Sequence, residues 1–510
     1  MEVVFDVLTQ PWIPLITQDG ALEYAGIARA LANAHTYTAI RGDNPLVTYG
    51  IHRLLLAFLQ EVFRPEDVFD KADIVSRGQF DSQKLDAYYE QCRKHGECFD
   101  LFDPSKPFLQ HAFEPEDETK TSHVSSLFIE MPTGNNHVHF NHQLEQDSSA
   151  TPSECLRALC TIPAFQLSHG RSAHTSVNGI PPKYFLFSGR NLFETLACSM
   201  VSKTQIGNLS YDVPPPAWRD EHPVPNRGTI ATVSLLHGLT ARPLRIQLLR
   251  PDEGDVSQVM MAHGYDYRDL QNWTDPHTAY MLNQKNERFP LQCKEGRAVW
   301  RDIGTILKEE NRPMFLQNVD TIIESLPGDE FVLGCQVFGL VSMRKTLLVP
   351  VSWEEESLPL YRSLLASPEQ VQLLQLCMEC MNDIASALSR LMGKSVKKLQ
   401  DPKEKDDKTG QYQLLAPQVE TAFLELVRHY LLNVFVQRID ETFASSADYD
   451  VICRLEFGRH MRQFALSAFQ EVMTQMGQNA PLLKWRSLAE HRLRQDVYKI
   501  LRKGGFVKDD

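Results

Sequence analysis

Cysteine is scarce in this sequence, with 10 in 510 residues, too few for a disulfide scaffold. An excess of positive charge is absent as well, because 52 Lys and Arg stand against 65 Asp and Glu, a net charge of −13. No global field therefore draws the chain to nucleic acid or anionic lipid, and such contacts fall to local patches or to a basic partner. Apolar runs of the ~18–20 residues that span a bilayer are missing. The opening Met1-Glu2-Val3-Val4-Phe5-Asp6 carries acids where a secretory signal needs a basic stretch and then an apolar one. A reducing cytoplasm and no membrane partner are the expectation.

Catalytic signatures are missing too. Gly393-Lys394-Ser395 lacks the glycine five residues earlier that a phosphate-binding loop requires, since Leu388 stands there. No Gly-x-Ser-x-Gly, His-Glu-x-x-His or strand-linked Gly-x-Gly-x-x-Gly occurs. Nucleotide hydrolysis, serine hydrolysis and dinucleotide chemistry all lose support.

What is present is ordinary globular composition, 43% hydrophobic and 23% charged, in a length that fits two to four domains. Charge is uneven along the chain. Residues 61–120 hold 8 basic and 15 acidic side chains, whereas residues 151–250 hold 10 and 5. The second block is expected to offer a basic surface to a polyanion, against the plainer reading of a solvated face.

The first ~365 residues read as a mixed α/β, loop-rich domain punctuated by Pro214-Pro215-Pro216, Pro223 and Pro225. Residues 44–63 read as a buried helix, and the runs Phe331-Val332-Leu333 and Leu347 to Val351 read as strands. From Ser367-Pro368-Glu369, a helix start, the pattern changes to helical runs ending near Met392, Ser445, Gly477 and Gly504. Residues 394–410 read as a loop. The expectation is an α+β chain: a domain over 1–365, then a four-helix bundle over 366–510.

Several stretches carry possible chemistry. His137, His139 and His142 cluster, and alternate histidines on a strand share a face that suits a metal; a polar loop touching nucleic acid is the other reading. Cys377 and Cys380 form a Cys-x-x-Cys inside an apolar run, which fits core packing better than zinc. Cys92 and Cys98 lack a partner set. Ser168-His169-Gly170-Arg171 is small, polar and basic, suited to close approach of a phosphate or base edge, or simply to a surface loop. Helix 481–503 carries Lys484, Arg486, Arg492, Arg494, Lys499, Arg502 and Lys503, which either contact phosphate or complement the helix dipole.

Taken in order, several segments resemble the CasA family, the large subunit of the type I-E CRISPR surveillance complex Cascade. Phe5-Asp6-Val7-Leu8-Thr9-Gln10-Pro11-Trp12-Ile13-Pro14-Leu15 is similar to that family's opening strand and Trp-Ile-Pro motif. Lys106-Pro107-Phe108-Leu109-Gln110, Gly134 to His142, Pro216-Ala217-Trp218, Leu239 to Ile246 and the helical C-terminus also have counterparts.

The resemblance implies a non-enzymatic subunit without cofactor that reads the protospacer-adjacent motif (PAM) in double-stranded DNA. It implies strand separation, R-loop initiation and recruitment of a helicase-nuclease. The partners implied are crRNA and the backbone, small and 5′-handle-binding subunits. Base pairing reads sequence in such complexes, while protein reads only a short motif.

Carried onto this chain, the PAM loop falls on Ser168, His169, Gly170 and Arg171, where one glycine remains and side chains replace a slim backbone probe. The family's minor-groove lysine falls near His263 and Gly264, with Arg268 following and no lysine present. The strand-separating wedge falls on Leu340, Val341, Ser342, Met343 and Arg344, with Gln336 the nearest glutamine. His139, Phe140 and Asn141 take the mobile loop, and Lys397, Lys398, Arg492 and Arg494 form a basic face of the bundle. No cysteine lies between Ala262 and His277, so no zinc is expected. Two rivals remain: a metal-dependent nuclease built on His137, His139 and His142, and a scaffold with no DNA contact.

Overall fold

Asn44 starts a long, deeply buried helix, α1 (Pro45–Phe63), because its side chain accepts from the backbone N–H of Leu46 and Val47, both at 3.0 Å. Its length and apolar composition match a membrane span, yet the helix lies buried among protein. The structure is a computed structural model. It describes residues 5–95, 99–114, 121–131, 149–167, 175–249, 254–283, 285, 287–326, 333–344, 348–360, 365, 367–401, 403, 412–477 and 479–508. The chain forms two units, residues 1–299 with 309–358, and residues 300–308 with 359–510, where the sequence reading put one break at 365/366.

In the first unit, α1 packs on α2 (Pro152–Phe165). Gly50 permits the approach, since a Cβ there would stand 2.8 Å from the carbonyl carbon of Cys160. Thr151 and Glu154 close a capping box at the start of α2. Small antiparallel sheets surround this pair. β1 (Ile13–Thr17) lies between β2 (Leu22–Ala25) and β3 (Tyr37–Ile40), with Ile13 opposite Ala25 and Leu15 opposite Ile40.

Two further three-stranded sheets are built from β4 (Thr121–His123), β5 (Tyr184–Phe187), β6 (Leu244–Leu248), β7 (Gln258–His263), β8 (Leu333–Arg344) and β9 (Leu348–Leu360). They assemble out of chain order, as β4-β7-β6 and β9-β8-β5. β8 and β9 form a hairpin, since three residues can join only antiparallel neighbours. Phe331, Val332 and Leu347 of the expected strand runs lie outside the described residues.

Several basic residues of the second block are already paired with acids. Arg219 pairs with Glu61, Lys203 with Glu66 at 3.0 Å, and Arg157 with Asp43 at 2.8 Å. Arg242 pairs with buried Asp220. Block 151–250 is thus basic in part because block 61–120, which folds against it, is acidic.

In the second unit, Ser367 caps α3 (Pro368–Met392), which packs on α4 (Ala416–Tyr430), α6 (Tyr449–Thr474) and α7 (Ala480–Lys503). The run expected as one helix to Ser445 is interrupted by a π-turn at Leu431–Phe435, before α5 (Val436–Ser445). Leu374, Cys377, Met381, Phe423, Phe457, Met461 and Leu493 fill the shared core, and buried Cys380 lies on the same helix as Cys377. Gly393 ends α3 in a right-handed conformation, with φ −80°.

Candidate nucleic-acid interface

Two groups of candidate residues, Ser168 to Arg171 and His137 to His142, lie outside the described residues. The structure does describe what holds their flanks. Ser176 N–H donates to the carbonyl of Gln166 at 2.9 Å, so the chain returns to its starting point across residues 168–174. Beyond residues 132–148, Ala150 and Val256 exchange backbone bonds of 2.9 and 2.8 Å, joining that flank to the segment that enters β7.

Val177 sits in an apolar cluster with Val233, Ala241 and Tyr267, against which Tyr265 and Trp273 also pack. Tyr265 follows Gly264 directly. The flank of the Ser168–Arg171 loop and the turn after His263 therefore share one packing unit, although the sequence separates them by almost a hundred residues. His263 is half-buried at the end of β7, opposite Leu244, and its carbonyl accepts from Arg245 Nε at 3.3 Å. Gly264 is required by close approach: a Cβ would stand 2.9 Å from the backbone N of Leu244. Arg268 is exposed, but Asp266 holds its guanidinium through Nε contacts of 2.9 and 3.0 Å, so part of its charge is already answered.

Beneath this cluster lies a polar network that sequence reasoning missed. Arg53, in the middle of α1, places Nη1 2.9 Å from Asp275 Oδ2, with both side chains at most 1% exposed. Its other donors reach the carbonyls of Leu239 (3.0 Å) and Gly238 (2.9 Å). Asn178 donates to Asp275 at 2.9 Å and to Tyr184 at 3.0 Å, and accepts from Trp273 Nε1 at 2.7 Å. Burial pushes the Asp275 carboxyl up, but the Arg53 charge and the bonds from Asn178 and His277 outweigh it and hold it below the usual range. The signal in the sequence is a lone arginine inside the apolar run Tyr49 to Leu59.

The wedge candidates divide by burial. Leu340 and Val341 are each 2% exposed and serve the core, so as placed neither reaches a base step. Gln336 is half-buried opposite Leu186 in the body of the sheet, away from the hairpin tip. Ser342 is half-buried and Met343 is exposed at the outer end of β8. Arg344 is the last residue of that strand.

The basic face of the helical unit is also partly neutralised. Arg492 contacts Asp496 at 3.1 Å and Arg494 contacts Glu490 at 2.6 Å, using both acids of α7. The bond from Arg494 holds Glu490 below its ordinary range. Lys397 is exposed and Lys398 half-buried on the short helix Val396–Gln400, whose entry is tied to α7 by Trp485 Nε1 donating to the Lys394 carbonyl at 2.8 Å. Lys397, Lys398 and α7 therefore lie together.

A cleft of about 880 Å³ opens in the first unit, lined by Glu61, Arg64, Lys84, Tyr88, Arg219 and His222 among others. Burial raises the Glu61 carboxyl even though Arg64 and Arg219 both pair with it. Its principal charges answer one another. Among the described residues, no trio of His, Cys, Asp and Glu is placed to hold a metal ion.

Comparison with known proteins decides the family. The profile of CRISPR-associated protein Cse1 matches residues 6–449. The chain belongs to the Cse1 family. It is 28% identical over 403 residues to the CRISPR-associated protein CasA/Cse1 of Thermus thermophilus, covering 76% of this chain and 77% of that protein. In fold it is similar to the solved structure of Thermus thermophilus CasA (Cse1), with TM-score 0.75 and 24% identity over 98% of this chain and 100% of that one. Thermobifida fusca Cse1 gives 0.73 and 19% over 99% of both chains. A chain of a CRISPR RNA-guided surveillance complex gives 0.67 and 18%, covering 97% of this chain and 99% of that one. The mixed fold with a helical C-terminal unit is that of the Cse1 family.

Proposed function

We propose that this Cse1-family chain is a non-catalytic subunit of a crRNA-guided DNA surveillance complex. It reads the PAM in double-stranded DNA, starts strand separation and R-loop formation, and helps recruit the helicase-nuclease. The observation that carries the reading is the apolar cluster in which Val177, the flank of the Ser168–Arg171 loop, packs with the residues just after His263 and Gly264. Such packing holds the described flanks of the two segments together, which supports a site for recognition of a few base pairs. A groove edge read by side chains instead of a glycine backbone places the PAM preference on His169, Arg171 and His263.

The test is target binding by the reconstituted complex with and without this chain, on duplexes differing only at the PAM and at fixed salt. Arg171→Ala or His263→Ala should weaken PAM-dependent affinity by about 1–3 kcal/mol and relax discrimination. PAM-blind binding, or affinity unchanged by omitting the chain, refutes the reading and favours the scaffold. Cleavage of DNA by the isolated chain with Mn²⁺, lost in His139→Ala, would instead support a nuclease.

A further inference from the structure

The cleft of the first unit holds an acceptor that the protein leaves unanswered. Arg64 and Arg219 both pair with Glu61 through Oε1, whereas Glu61 Oε2 is buried and has no hydrogen-bond partner. The side chain is only 3% exposed, and a lone buried acceptor carries its full desolvation cost until something donates to it. A single water could serve that oxygen, but about 880 Å³ is the size of a small-molecule site. One wall is the helix Ser82–Lys94, on which Lys84, Tyr88, Gln91 and the C-cap His95 recur at helical spacing. The Tyr88 hydroxyl accepts from Trp218 Nε1 at 2.8 Å, which fixes its ring, and Val62, Ala87 and Pro215 add apolar surface.

The charges of the cleft are sorted. Around Glu61 they cancel: Arg64 Nη2 lies 2.9 Å from Glu61 Oε1 and 2.8 Å from Asp212 Oδ2, and Arg219 pairs with the same two acids. Lys84, His95 and His222, all exposed, form the mouth with one lining acid, Glu221. Lys84 Nζ sits 5.8 Å over the Phe63 ring, and among the described residues no carboxylate pairs with it. A cation brought to Glu61 would meet two guanidiniums, so the donor that fits Oε2 is a neutral N–H. The mouth suits an anion, and the Tyr88 ring suits a flat body between the two. A nucleobase with its amino group inside and its 5′-phosphate at the mouth meets all three demands.

We infer that this cleft binds a nucleoside monophosphate, with the base amino group donating to Glu61 Oε2 and the phosphate held by Lys84, His95 and His222. The nucleotide is either free or the end of a strand, two sources with the same chemistry. No residue of the proposed PAM site takes part, so either reading can fail without the other.

The test titrates the full chain with AMP by calorimetry. Purine riboside 5′-monophosphate, which lacks the amino group, should bind about 10- to 150-fold more weakly than AMP. Lys84→Glu should weaken AMP binding by reversing a charge at the mouth, and Ala87→Trp should abolish it by filling the cleft. Both positions are exposed, so these variants should melt with the wild type. Glu61→Gln, with its folding checked by the same melt, should lose the preference for AMP over the analogue. No binding at millimolar AMP, equal affinity for AMP and the analogue, or binding that survives in Ala87→Trp overturns the site. Inorganic phosphate binding as tightly as AMP also overturns it, because the base would then play no part. A short oligoadenylate bearing a 5′-phosphate separates the sources. Competition with AMP at equal or higher affinity assigns the cleft to a strand end, and failure to compete assigns it to the free nucleotide.

Discussion

Replacing Arg53 by methionine keeps the apolar stem and removes the charge that answers Asp275. With both groups at most 1% exposed, the variant leaves a carboxylate in a site where water cannot compensate it. Breaking such a pair from one side costs about 3–5 kcal/mol. The upper half of that range applies, because the Leu239 and Gly238 carbonyls lose their donors as well. For a unit of roughly 350 residues, unfolding entropy near 2.1 cal/mol/K per residue converts about 4 kcal/mol into a Tm drop of about 5–6 °C. The pH dependence gives an independent sign. In the wild type the Asp275 carboxyl is depressed, so its contribution is present above the ordinary carboxylate pKa of about 3.9 and is lost as pH falls through its folded value. In Arg53→Met burial acts without the arginine and raises that carboxyl, which then takes up a proton on mild acidification. The wild-type and variant melting curves should therefore converge between pH 7 and about pH 5, followed by calorimetry and near-UV dichroism. Arg53→Met with Asp275→Asn should recover part of the loss, a coupling of about 0.5–3 kcal/mol. A Tm drop below about 1 °C at pH 7, or a gap that widens on acidification, would refute the argument.

Three more outcomes follow from the structure. Burial pushes His52, His237 and His277 down to about 4, so the unfolded chain binds protons that the folded chain refuses. Stability should fall as pH drops from about 6.5 to 4, and proton uptake on unfolding, measured by calorimetry in buffers of different ionisation enthalpy, should shrink in His52→Gln. Gly264→Ala forces a Cβ against the backbone of Leu244 and should cost about 1–3 kcal/mol by denaturant titration, where Gly393→Ala, with φ −80° and no atom nearer than 3.7 Å to the added Cβ, should show no steric cost. Arg492→Ala with Arg494→Ala removes only surface pairs and should change stability by less than about 2 kcal/mol; if that face holds phosphate, the salt slope of DNA binding by the complex should fall by about 1–2.

Local chemistry determined a good part of this molecule directly from the sequence. The helix over 45–63, the start of α3 at Ser367-Pro368 and the long helical runs of the C-terminal unit follow from apolar spacing and caps, which act within a few residues. The order of weak motifs was enough to point to the family, because order survives where single motifs are ambiguous. Only the tertiary structure decided which groups meet. Alternation along β8 gave no face to Leu340 and Val341, which packing buries alike, and part of a basic block found its partners among acids elsewhere in the chain. The π-turn at Leu431–Phe435 and the meeting of Arg53 with Asp275, 222 positions apart, have no local cause. Burial and pairing are sums over neighbours distant in the chain. A linear pattern names the groups that need partners, and packing alone supplies them.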